Sequence, residues 1–130
     1  MQSSVAYHIL RIGLGITFLW IGVLIFRSPE FWGGFLQPWA IDLLPVPLHE
    51  AMIGTAIVDI LIGVAILINI GVWIAALIGS IHLAVILATT GITEITVRDI
   101  GLLGGMVALF WTNLPDRFRI LIKKTRGGNL

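Results

Sequence analysis

From Ile60 to Thr93 the chain carries no Asp, Glu, Lys or Arg. As one helix rising 1.5 Å per residue, that run would be roughly 50 Å long, against a hydrocarbon core of about 30 Å. It must fold back once. Asn69-Ile70-Gly71 is the place for the reversal, because Asn and Gly tolerate turn conformations. Two other apolar runs, Ile12 to Phe26 and Ile100 to Pro115, are also free of charged side chains. The pattern reads as four transmembrane helices over residues 5–26, 50–69, 71–91 and 98–114, with Pro115 stopping the last near Asn113. Backbone polar groups in lipid must bond internally, so helices are the expected form. Strands do not fit, since the runs lack the alternation of a membrane barrel and four strands cannot close one. The expected fold is therefore all-α: an integral membrane four-helix bundle forming one domain over 1–114, followed by a basic tail over 115–130.

Composition agrees. The 130 residues are 58% hydrophobic and 12% charged, with a mean hydropathy of +1.03. A soluble domain carries about 25% charged residues, so this chain cannot cover a water-facing surface. A net charge of +1, with the basic residues crowded into the tail, argues against nucleic acid as a partner. No cysteine is present, which removes disulfides, thiolate metal sites and dithiol redox chemistry.

Charge asymmetry sets an expected orientation. Arg117, Arg119, Lys123, Lys124 and Arg126 follow the fourth helix. The first connection holds only Arg27, against Glu30, Asp42 and Glu50, and Arg98 alone precedes the fourth helix. The positive-inside rule places the tail in the cytoplasm, and four spans place the N-terminus there too. The run after Phe26 lacks a small-x-small cleavage site, so the first apolar stretch is kept as helix 1.

Between helices 1 and 2, Phe31, Trp32, Phe35 and Leu36 fall at helical spacing among Pro29, Pro38, Pro45 and Pro47. A short amphipathic segment lying on the outer surface is expected, as a cap over the bundle. A lid over a lateral ligand entrance is the alternative.

Asp59 is the most informative side chain. A carboxylate at mid-span costs about 3 kcal/mol or more unless it is buried and partnered. If the chain reverses between Ile70 and Gly71, Asp59 and His82 are equally far from the turn and so share one depth on neighbouring antiparallel helices. Thr55, Asp59 and Gly63 form one stripe, and Gly79, His82 and Thr89 belong to another. The pair reads either as a packing contact or as a proton relay or polar wall of a head-group pocket, with Thr55 beside it. One Asp and one His are too few for a metal site. His8 and His49 lie near opposite faces, which excludes a haem held between two histidines. Arg27, Glu50, Arg98 and Asp99 gather at the outer ends of the helices as a polar mouth, although acidic groups at helix N-termini also have a simple dipole explanation. Arg11 is expected to snorkel to the cytoplasmic boundary, with a contact to Asn69 or Asn113 as the alternative. Gly101 and Gly105 are read as close-packing positions within the bundle. No G-x-S-x-G, P-loop or H-E-x-x-H is present, so no stand-alone enzyme is expected.

Several segments together resemble the DoxX family of small membrane proteins. They are Leu10-Arg11-Ile12-Gly13-Leu14-Gly15, Phe18-Leu19-Trp20-Ile21-Gly22, Pro29 with Trp32, Asp59-Ile60-Leu61-Ile62-Gly63, and Val97-Arg98-Asp99-Ile100-Gly101-Leu102-Leu103-Gly104. The resemblance spans about residues 8–114. Family members more often have Glu at the place of Asp59, and many carry a Lys where this chain has Ile25. The resemblance implies a four-helix bundle in a bacterial or archaeal cytoplasmic membrane. Relatives called DoxD are subunits of thiosulfate:quinone oxidoreductase, which implies a quinone-interacting or accessory role beside redox partner subunits. A small transporter or proton pathway through Asp59 and His82 is a second class of function. A non-catalytic structural or lipid-binding module, alone or as a homo-oligomer, is a third.

Overall fold

The computed structural model describes residues 4–128; the first three residues of the expected transmembrane domain and the last two of the expected tail lie outside it. Among the described residues every regular element is a helix: α1 (Val5–Arg27), α2 (Pro29–Gly33), α3 (Pro38–Asp42), α4 (Leu48–Leu67), α5 (Val72–Thr90), α6 (Val97–Asn113) and α7 (Asp116–Gly127). Three of them, α1, α4 and α5, are long and apolar enough to cross a membrane. At 17 residues α6 is roughly 25 Å long and carries Arg98 and Asp99 in its first turn.

The helix boundaries have local causes. Ser4 caps α1, its hydroxyl accepting from the Tyr7 amide at 3.1 Å. Pro29 and Pro38 open α2 and α3, where a missing amide proton costs nothing. The reversal falls where Asn and Gly allow it: Asn69 (φ 61°) and Gly71 (φ 57°) both adopt the left-handed region between α4 and α5. α4 starts and ends two residues earlier than expected, because Pro47 already precedes its first turn and Ile68 to Gly71 are consumed by the turn. The surface helix expected through Phe31–Leu36 is shorter. Gly34 caps α2 after Gly33, and Phe35 and Leu36 lie in the link to α3. The tail forms α7, with Phe118 packed on Trp73, the ring centroids 5.7 Å apart.

Packing is uneven along the molecule. α1 lies chiefly along α4, and α5 along α6. The first pair is close enough that a Cβ at Gly63 would meet the Leu19 amide nitrogen at 2.5 Å and the Gly15 carbonyl oxygen at 2.8 Å. Small residues let helices approach this way in lipid. The four long helices share one core at the end carrying the α4–α5 turn, built from Tyr7, Leu14, Ile66, Ala76, Met106 and Leu109. Toward the other end, where α2 and α3 lie, a smaller cluster of Ile25, Met52 and Ala56 joins α1 to α4. Exposed apolar side chains such as Trp20 (67%), Leu61 (63%) and Ile81 (58%) surround the helices, an exterior suited to lipid rather than water.

A candidate ligand cavity between the helices

The end with the sparser core holds a cavity of about 650 Å³. It is bounded by the second half of α1, the first halves of α4 and α6, the second half of α5, and the α2–α3 segment. Its walls are mostly apolar. Trp32, Phe35 and Leu36 supply one side, and Trp32 and Phe35 stack with Phe31 into an aromatic cluster. The α2–α3 segment is thus part of the cavity wall, as a lid would be. The exposed Ile16, Trp20 and Val85 also line the cavity, so it opens sideways to where lipid chains would run.

Its polar groups are few. Asp59, buried at 3% exposure, faces His82 with Oδ1 and Nε2 3.1 Å apart. The contact is not aligned as a hydrogen bond, and His82 Nε2 is a buried atom with no hydrogen-bond partner. A bound carbonyl or hydroxyl could satisfy it. Thr55 lines the same cavity, its hydroxyl turned back onto the Ala51 carbonyl at 3.1 Å. Arg98 and Asp99 reach it from the start of α6. Arg98 Nε donates to the Ile95 carbonyl at 3.0 Å, which fixes the guanidinium's position at the rim. Thr96 is buried beneath them. Its hydroxyl donates to the Gly91 carbonyl at 2.6 Å and accepts from the Thr93 amide at 2.7 Å, tying the α5–α6 link.

The structure thus gathers Thr55, Asp59, His82, Arg98 and Asp99 around one space and leaves two expected mouth residues out of it. Arg27 and Glu50 are exposed and form no part of the wall. The outer acidic position that does find a partner is Glu30, whose carboxylate takes a hydrogen bond from His49 Nδ1. That bond joins α2 to the first turn of α4 and holds the Glu30 carboxyl below its ordinary pKa.

Arg11 corrects an expectation. It does not reach for the membrane boundary but is buried at 8% exposure. Nη1 donates to the carbonyls of Ile66 at 2.6 Å and Leu67 at 3.0 Å, closing the C-terminal end of α4. A cation there meets the last carbonyls of α4, one of which (Ile66) also accepts from the Asn69 amide, and the negative end of the helix dipole. Tyr7 hydroxyl donates to Asn113 Oδ1 at 2.7 Å, joining the start of α1 to the end of α6. Sequence reasoning did not anticipate this contact. Nor did it find the walls from Ile16 and Trp20, because in an all-round apolar helix lipid-facing and cavity-facing residues look alike; Phe35 and Leu36 belong to the segment whose alternative reading is a lid over a lateral entrance.

Among the described residues no cluster of three His, Asp or Glu side chains could hold a metal ion. No family model, curated protein or solved structure matches the chain.

Proposed function

We propose that this is a DoxX-like membrane protein that binds a quinone-type ligand as an accessory subunit of a redox complex. In this reading α6 is the fourth span, residues 28–47 face outward, and both termini lie in the cytoplasm of a bacterial or archaeal cell. The observation that carries the proposal is the cavity. It is mostly apolar, opens sideways and has a buried Asp59–His82 pair in its wall, which is the form expected of a ligand site.

A quinone fits these residues. Its ring would lie among Trp32, Phe35 and Leu36, and its isoprenoid tail would leave past Ile16 and Trp20. His82 Nε2, lacking an aligned partner, would donate to a ring carbonyl when protonated there. Asp59, 3.1 Å from that nitrogen, would hold the imidazole in place against the ligand's oxygen. Bound there, the quinone would supply two-electron, two-proton redox chemistry; the electrons would come from a partner subunit. Transport is the weaker reading. The packed layer of Phe18, Ile62, Leu83 and Met106, in which Phe18 and Leu83 line the cavity itself, favours a closed site over a through-path.

Tryptophan fluorescence gives the test, since Trp20 and Trp32 line the cavity. Titration of the detergent-solubilised protein with a short-tailed ubiquinone or menaquinone should quench emission saturably. Filling the cavity with Thr55→Trp or Ala51→Trp should weaken that binding about tenfold or more. Linear, unsaturable quenching unaffected by either substitution would reject the site.

A further inference from the structure

At the opposite end of the molecule we infer a second site, for the head group and one acyl chain of an anionic phospholipid. It is built by α7 against the ends of α5 and α6. Phe118, Leu121 and Ile122 fall at i, i+3 and i+4 on α7 and face an apolar groove of about 270 Å³. Trp73 and Leu77 of α5 and Phe110 of α6 complete the groove. It has no polar lining, and Leu121 (59%) and Ile122 (43%) remain well exposed along it. In a bilayer the natural occupant of such a groove is a hydrocarbon chain.

The rim identifies the head group by charge. Arg117, Lys123, Lys124 and Arg126 are all exposed on α7, and Asp116 is the only acidic residue in that helix. A helix with a basic face flanking a narrow apolar face lies in the interfacial plane and prefers anionic lipid. Its position is not left to the membrane alone. Arg119 Nη2 donates to the carbonyls of Trp111 at 2.7 Å and Thr112 at 2.8 Å, at the C-terminal end of α6. Leu114 is buried at the bend, and Pro115 precedes the first turn of α7. Arg117 Cζ lies 4.9 Å from the centre of the Phe118 ring that lines the groove, and the other cations follow on the same short helix, so that a phosphodiester near α7 and an acyl chain in the groove can be bound by one lipid. The requirement for both parts separates this site from a nonspecific basic patch.

The full chain in a mild non-ionic detergent supplies the test, with thermal stability as the readout. Dioleoyl phosphatidylglycerol should raise Tm more than dioleoyl phosphatidylcholine, and added salt should shrink the difference. The triple variant Lys123→Gln/Lys124→Gln/Arg126→Gln should lose at least half of the phosphatidylglycerol shift. Leu77→Trp, which fills the groove and keeps the charges, should lose a similar share. Glycerophosphoglycerol, the same head group without chains, should give no shift. Equal shifts with the two phospholipids, or a full shift with the chainless head group or with inorganic phosphate, would overturn the proposal. So would an undiminished phosphatidylglycerol shift in both variants. Should either variant fold poorly, native mass spectrometry of the wild type decides between the lipids: preferential retention of phosphatidylglycerol supports the site, and equal retention contradicts it.

Discussion

Asp59 Oδ1 of α4 and His82 Nε2 of α5 lie 3.1 Å apart, Asp59 eight residues before the end of α4 at Leu67 and His82 ten residues after the start of α5 at Val72. Depth on a helical hairpin is fixed by distance from the reversal, so the turn at Asn69 and Gly71 sets this meeting. Removing one partner leaves the other buried and uncompensated. Asp59→Asn and His82→Ala should each lower thermal stability in detergent. A double-mutant cycle should give a coupling of about 1 kcal/mol, the scale of polar pairs between membrane helices. Simple additivity would show that the two side chains do not interact.

That contact was legible in the sequence because the two side chains lie at similar spacing from the turn, on helix faces marked by small and polar residues. The helical class and the turn were legible for the same kind of reason: length of apolar run, and Asn and Gly where the backbone goes left-handed. Contacts between α1 and the other helices were not. Arg11 meets Ile66 and Leu67, and Tyr7 meets Asn113, only because of how α1 crosses α4 and α6. Helices that are apolar all round carry no stripe from which to read that crossing. The cavity walls from α1 were hidden for the same reason, and the α2–α3 segment was read too long because Gly33-Gly34 outweighs the aromatic spacing around it.

Arg11→Met keeps the length and the apolar stem but removes the charged donor from the Ile66 and Leu67 carbonyls, of which Ile66 keeps the Asn69 amide. Hydrogen bonds from a charged donor contribute about 1.5–3 kcal/mol, so a loss of that order is expected in chemical or thermal unfolding. A neutral result would mean that the end of α4 is satisfied in some other way.

Glycine positions should divide sharply. Gly63→Ala places a methyl against backbone atoms of α1 that cannot move aside, and should cost about 1–3 kcal/mol. At Gly13 and Gly104 an added Cβ meets nothing within 4 Å. Ala there should be neutral or stabilise by up to about 1 kcal/mol, through helix propensity. Equal effects at all three positions would contradict the packing of α1 on α4.

Acid should weaken the tie between α2 and α4. The His49 hydrogen bond holds the Glu30 carboxyl below the ordinary value of 4.5. A carboxyl depressed in the folded state contributes stability above its unfolded pKa, and that contribution is lost as pH falls through the folded value. Wild type should therefore exceed Glu30→Gln in Tm near neutrality, and the gap should close below about pH 4.5. Both side chains are exposed, so the gap should be small and shrink with salt. A gap that widens in acid would contradict the assigned direction.

The proposed orientation rests on the same charges that define α7. The chain has no cysteine, so Leu43→Cys, 74% exposed, and Gly127→Cys report separately. An impermeant thiol reagent on intact cells should label the first and spare the second. Preferential labelling at residue 127 would invert the topology.

The proposed quinone site meets its most direct test in ligand-dependent thermal stability of the wild type and His82→Ala. A ligand that binds only the folded state raises stability by about 2.7 kcal/mol at a hundredfold excess over Kd. A ubiquinone analogue should raise wild-type Tm, and His82→Ala should lose most of that shift. A saturated isoprenoid alcohol of equal length, which lacks the ring carbonyls, should produce little shift in either protein. Equal shifts with quinone and alcohol, or an undiminished quinone shift in His82→Ala, would contradict head-group recognition by the Asp59–His82 pair.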